Sequence, residues 1–180
     1  MSEMAELTPV VQQFIVHWGE MGERWGINRT VAQIHALLYL SPEPINAEQI
    51  SAALAVARST VSAGLRELQS WGIISIVHRL GDRTDYFTAM GDIWEMFRVI
   101  VDRRKHLELD PTLEMLRGTV KGLENSNEDP RTQEKMAAML DLFETASELY
   151  AQIQRVPTRT LVRLARTADV VGKVLGVFPE

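Results

Sequence analysis

The chain has 180 residues, 46% of them hydrophobic, and a formal net charge of -5 at pH 7. That length suits one domain, or a small domain with an extension, and the acidic balance argues against indiscriminate attraction to nucleic acid. The absence of cysteine excludes a disulfide scaffold and a thiolate metal site and points to a reducing, cytoplasmic compartment; with no apolar run of membrane-spanning length and no basic-apolar leader, neither a membrane span nor secretion is expected.

Thr8-Pro9 predicts a helix start, a hydroxyl cap followed by proline at the first position. Val10, Val11, Phe14, Ile15, Trp18, Met21 and Trp25 then form an apolar stripe ending near Gly26, broad enough to imply burial on more than one side. A second helix, about Thr30 to Leu40, turns Val31, Ile34, Leu37 and Leu38 inward, and Ser41-Pro42-Glu43-Pro44 stops it.

Asn46 and Gln49 have the spacing of a capping box, which predicts a third helix over Ala47 to Leu54 with Ile50, Ala53 and Leu54 inward. After Ala55-Val56-Ala57 a fourth helix, about Ala57 to Trp71, places Val61, Leu65, Leu68 and Trp71 on one stripe. Its opposite face carries Ser59, Ser62, Ala63 and Arg66, with Arg58 and Thr60 in the first turn. Short outward side chains allow close approach to a major groove, and an arginine can reach guanine or phosphate. Gly64 lies toward the inner edge, where a missing side chain lets the paired helix come close. Ala57 stands where a capping hydroxyl is usual, so this helix lacks its own side-chain cap.

Gly72 predicts a left-handed helix end. Ile73 to Arg79 is rich in β-branched residues, Leu80-Gly81-Asp82-Arg83-Thr84 reads as a turn, and Asp85 to Ala89 returns as a second strand. Together these elements read as a winged helix-turn-helix with a two-stranded wing. Arg83 at the wing tip is placed for a minor groove or a phosphate; the alternative is a solvated turn residue, or a partner for Asp82 or Asp85. From Ala57 to Thr84 four arginines (Arg58, Arg66, Arg79, Arg83) face two acids, Glu67 and Asp82. An excess that small binds phosphates weakly as one copy, so two are needed.

Met90 to Glu180 divides into helical patterns near Asp92 to Glu108, Thr112 to Leu123, Arg131 to Gln154 and Thr158 to Leu175, separated at Asp110-Pro111, Asn125 to Pro130 and Val156-Pro157. The expected organisation is a DNA-binding domain over residues 1–90 and an all-α extension over 91–180 for dimerisation, sensing or both. Arg155, Arg159, Arg163 and Arg166 form a row around Pro157. It reads as a solvated face, a cross-dimer partner for Glu144 or Glu148, or a flanking DNA contact. Arg103-Arg104-Lys105-His106 near a helix end complements the helix dipole and stays outside the DNA-facing set. The four histidines have no ligand spacing, no metal or cofactor is expected, and no nucleophile elbow, phosphate loop or dinucleotide fingerprint occurs, so an enzyme is not the expectation.

The succession Asn46-Ala47-Glu48-Gln49-Ile50, Arg58-Ser59-Thr60-Val61-Ser62, Leu65-Arg66-Glu67-Leu68, Gly81-Asp82-Arg83, Tyr86-Phe87 and Asp92-Ile93-Trp94 resembles the GbsR/MarR family of transcriptional regulators, over roughly Phe14 to Phe97. The resemblance implies a homodimeric DNA-binding regulator, more readily a repressor than an activator. Two-fold symmetry then sets recognition helices about 34 Å apart for successive major grooves of double-stranded DNA. It also implies choline or glycine betaine as effectors. Trp94 and Phe97, with Trp18 or Trp25, are candidate aromatic walls for such a quaternary amine, though Ile93, Trp94, Phe97, Ile100 and Val101 read first as core or dimer interface. The competing class is a winged domain used for protein association alone.

Overall fold

The computed structural model describes residues 7–123, 126–164 and 167. The chain divides into two compact units, Met1–Val99 and Ile100–Glu180.

In the first unit, α1 (Pro9–Arg24) begins at Thr8, whose hydroxyl accepts the Val11 N–H, and α2 (Arg29–Leu40) begins at Asn28, whose side chain accepts from Thr30 and Val31. A two-residue strand β1 (Ile45–Asn46) leads into α3 (Ala47–Leu54). Asn46 and Gln49 close the capping box in both directions, each bond 2.9 Å long. The turn to α4 (Arg58–Ser70) passes through Ala55 in the left-handed region, with φ 53°. Ser51 braces that turn by donating its hydroxyl to the Val56 carbonyl.

The largest fully buried side chains of this unit are Ile34, Leu37, Ile50, Val61, Leu68 and Ile73. Apolar faces spaced three and four apart on α2, α3 and α4 therefore converge on one core. Gly64 permits a close approach to this core. A Cβ there would sit 2.7 Å from Cδ1 of Ile34, so the helix packed against the glycine is α2, not the paired helix α3.

Gly72, with φ 74°, ends α4, and β2 (Ile74–Val77) pairs antiparallel with β3 (Tyr86–Ala89), Ile76 opposite Phe87. The wing is one strand larger than the sequence suggests. Ile45 and Asn46 pair with Phe87 and Tyr86, giving a three-stranded sheet in the order β1-β3-β2.

Helix α1 also departs from expectation. Ile15, Gly19 and Gly22 are buried, whereas Val10, Phe14, Val16 and Trp25 are exposed. Only one side of its broad stripe is covered by the described chain.

Helix α5 (Ile93–Arg104) buries Met96 and leaves Ile93, Trp94 and Phe97 exposed. Asp110-Pro111 does not break the helix. Lys105–Leu109 form a π-helical turn, closed by the Asp110 N–H bonding to the Lys105 carbonyl, and α6 (Asp110–Leu123) follows directly. Proline lacks an N–H and crowds the carbonyl four residues back; a wider turn just before it relieves both problems. Helix α6 packs on α7 (Pro130–Arg155), which starts at the Asp129 cap and ends at Val156. Residues 158–164 are helical again. Arg166 and the expected continuation to Leu175 lie outside the described residues.

Candidate nucleic-acid interface

The inner face of α4 is fixed by Val61, Gly64, Leu65 and Leu68, all buried. At 3.6 residues per turn, anchoring that stripe turns the opposite one outward. Arg58, Ser59, Thr60, Ala63 and Arg66 are exposed and Ser62 is half-buried. Ser59, Ala63 and Arg66 thus line a strip about 10 Å long at 1.5 Å per residue, on which Arg66 is the long side chain, narrow enough for a major groove.

The charges on this face are uncommitted. Arg58, Arg66 and Arg83 make no hydrogen bond, ion pair or ring contact among the described residues. Arg79 differs: its guanidinium lies 3.9 Å from the centre of the Tyr86 ring and donates to the Pro44 carbonyl. Of the four arginines on this segment, three are available and the fourth is structural.

Arg79 belongs to a brace that shapes the wing. The Asp82 N–H bonds to the Arg79 carbonyl at 3.1 Å, with Gly81 at φ 79°, the positive φ that a type II turn requires at its third residue. Asp82 accepts from the Thr84 N–H at 2.8 Å and from the Tyr86 hydroxyl at 2.9 Å. Hydrogen bonds from Thr84, by hydroxyl and backbone, and then from Tyr86 hold the Asp82 carboxyl below the usual carboxylate range. Both ends of the turn are tied to Tyr86, so the wing presents Arg83 from a defined tip. Asp82 is satisfied without Arg83, and Asp85 lies 3.6 Å from His78. Neither neutralises the arginine. Sequence reasoning named Asp82 and Tyr86 without assigning them this bracing; an Asp two residues before a Thr is the signal of an Asx turn.

The start of α4 has no side-chain cap. Ala57 occupies the N-cap with extended backbone and nothing to bond the first N–H groups. Exposed, unsatisfied amides at a helix start favour anions, and Arg58 lies beside them.

The basic run at residues 103–106 is engaged within the chain. Arg104 pairs with Glu108, Lys105 with Asp110 at 2.5 Å, and His106 with Asp110 at 2.6 Å and Asp102 at 3.5 Å. Lys105 first, then His106, pulls the Asp110 carboxyl below its usual range. Arg103 also has a partner. Of the arginine row, Arg155, Arg159 and Arg163 are exposed, and Glu144 is already held by Arg117 at 2.9 Å.

Among the candidate aromatic residues, Trp18 stacks on Phe14 and on the buried His35, which in turn stacks on Tyr39. Trp25, Trp94 and Phe97 are each about half exposed, and no ring contact joins them to Trp18 or to one another among the described residues. Burial without a charged neighbour pulls the His35 pKa from 6.5 to about 4, so the imidazole is neutral at pH 7. Among the described residues no group of three His, Asp or Glu side chains is placed to hold a metal ion, and no helix is long and apolar enough to cross a membrane.

No protein-family model matches the chain, and no curated protein matches it. Among solved structures, one described as a transcriptional regulator matches with a TM-score of 0.61 and 19% identity over 81% of this chain and 95% of that one. A MarR family transcription regulator matches with a TM-score of 0.38 and 18% identity, covering 83% of this chain and 88% of its own. FabT of Streptococcus pneumoniae in complex with DNA gives 0.35 and 15%, covering 78% and 92%. At 19% identity the first likeness is one of fold: the chain has the mainly helical, winged helix-turn-helix architecture that its capping and strand patterns indicate.

Proposed function

We propose that this protein is a DNA-binding transcriptional regulator of the GbsR/MarR kind that acts as a homodimer. Helix α4 enters the major groove with Arg58, Ser59, Thr60, Ser62, Ala63 and Arg66, and Arg83 reaches the minor groove or the backbone. One observation carries this reading: among the described residues, Arg58 and Arg66 on one helix and Arg83 on the adjoining wing are exposed and unpaired, while the basic run at residues 103–106 is engaged by contacts within the chain. In a chain of net charge -5, leaving those three free is what a phosphate-facing surface needs.

Two features support the second copy. Val10 and Phe14 of α1 and Trp25 just after it stay exposed. On α7, which buries no residue, Met139, Leu142, Ala146, Leu149 and Ile153 are all exposed, spaced three and four apart as in a coiled-coil seam. The reading as a repressor rests on the family resemblance.

Selection of bound sequences from a random duplex library tests the proposal. Enriched inverted half-sites about 10 base pairs apart, centre to centre, are expected. If no sequence is enriched and no duplex is retained even at low salt, the winged unit is an association scaffold.

A further inference from the structure

We propose that Leu80 is a DNA-contacting residue of the wing, an apolar side chain that enters the minor groove beside Arg83 and packs against the sugar edges. This deepens the DNA-binding reading and rests on it.

Leu80 has a relative exposure of 108%, the largest among the exposed large hydrophobic residues of the described chain. It therefore contributes no burial to the fold. Nor does the turn require it: the second position of a type II turn accepts most residues and favours proline. Its surroundings hold it out. Arg79 on one side is stacked on Tyr86, Asp82 on the other is bonded to Thr84 and Tyr86, and the Asp82 N–H closes the turn onto the Arg79 carbonyl. Leu80 and Gly81 form the apex of a turn pinned at both ends, so little conformational freedom remains to be lost on contact.

Chemistry selects the partner. Three residues on is the unpaired Arg83, so the tip offers one cation and one apolar side chain together. Minor-groove readers combine these two types, arginine for the groove potential and leucine-like residues against sugars and base steps. A leucine offers no acceptor to the guanine 2-amino group, the donor that distinguishes G·C from A·T in that groove. The wing step should therefore prefer A·T through Leu80, and an inosine·C pair, which lacks the amino group, should behave like A·T.

The test uses the full chain and the tightest duplex recovered from a random library, with fluorescence anisotropy read against salt concentration. Leu80→Ala should weaken binding roughly tenfold for each wing engaged, leave the slope of log K against log salt unchanged, and abolish discrimination between inosine·C and G·C at the wing step. Arg83→Ala should instead flatten the slope by about 0.9 for each wing. Since Leu80 touches nothing in the fold, thermal melting of its variant should match the parent. Equal affinity of parent and Leu80→Ala, or persistence of the inosine·C preference in the variant, overturns the assignment while leaving DNA binding intact. Absence of salt-dependent binding by the parent removes the DNA reading and this inference with it.

Discussion

Replacing Ala57 by aspartate should stabilise the fold and weaken DNA binding at once. The backbone at Ala57, φ -61° and ψ 141°, nearly coincides with that of Asp129, φ -66° and ψ 147°, which caps α7 by accepting from Arg131 and Thr132. Aspartate at position 57 therefore needs no rearrangement to take up orphan N–H groups of α4. A cap of this type contributes about 1 kcal/mol, with a few tenths more from a negative charge at the helix start, and should raise Tm by about 2 to 4 °C in a chain of this size. The new carboxylate also stands beside Arg58 and, on the proposed DNA-binding reading, faces phosphate. At a separation near 4 Å, repulsion from one phosphate is about 1 kcal/mol in water-like surroundings and larger where water is displaced, so affinity should drop about tenfold. Ala57→Ser, capping without charge, should share the stabilisation and lose much less affinity. Thermal melts and anisotropy on the same preparations decide the matter. A stabilised Ala57→Asp protein that binds as tightly as the parent would place the start of α4 away from the duplex, and absence of stabilisation would show that the first turn is not short of a cap.

Other consequences follow from the buried contacts. Unfolded, His35 takes up a proton below pH 6.5; folded, it does so only below about pH 4. Its contribution is therefore complete above pH 6.5 and is lost as pH falls toward 4, by about 3 kcal/mol at 1.36 kcal/mol per pKa unit. His35→Phe should remove that part of the acid lability in urea titrations at pH 7.5, 6 and 4.5; an unchanged pH dependence would contradict it. At Gly22 a Cβ would lie 2.6 Å from Cβ of Ala32, an atom fixed to the α2 backbone, so Gly22→Ala must spread α1 from α2. The strain of about 1 to 3 kcal/mol exceeds the gain of about 1 kcal/mol in helix propensity, and a higher urea midpoint in this variant would refute the packing described.

What the sequence discloses divides along local and distant causes. The starts of α1 and α3 and the end of α4 are legible because Thr8-Pro9, Asn46 with Gln49, and Gly72 act on backbone within a few residues of themselves. Strand β1 is not, since two residues become a strand only by pairing with Phe87 and Tyr86, forty residues on. Pro111 misleads for a similar reason: it ordinarily marks a break, and here a π turn absorbs it. At the interface the periodicity shows which arginines face outward but not which are free. Arg79 and Arg83 look alike in the sequence, and only the ring of Tyr86 and the carbonyl of Pro44 separate them. Likewise the 103–106 run looks like a basic patch until Asp102, Glu108 and Asp110 are seen against it.

On the proposed reading, Arg58, Arg66 and Arg83, and not the paired Arg104, meet phosphates or bases. The most direct measurement of this is the salt dependence of duplex binding in four single alanine variants, at Arg58, Arg66, Arg83 and Arg104. Weaker binding is expected for the first three, by about 1 to 3 kcal/mol where the contact is a bidentate base pair, with a flatter slope wherever a phosphate is lost, and parental behaviour is expected at Arg104. Parental affinity and slope at Arg58, Arg66 and Arg83, or a loss confined to Arg104, would contradict it.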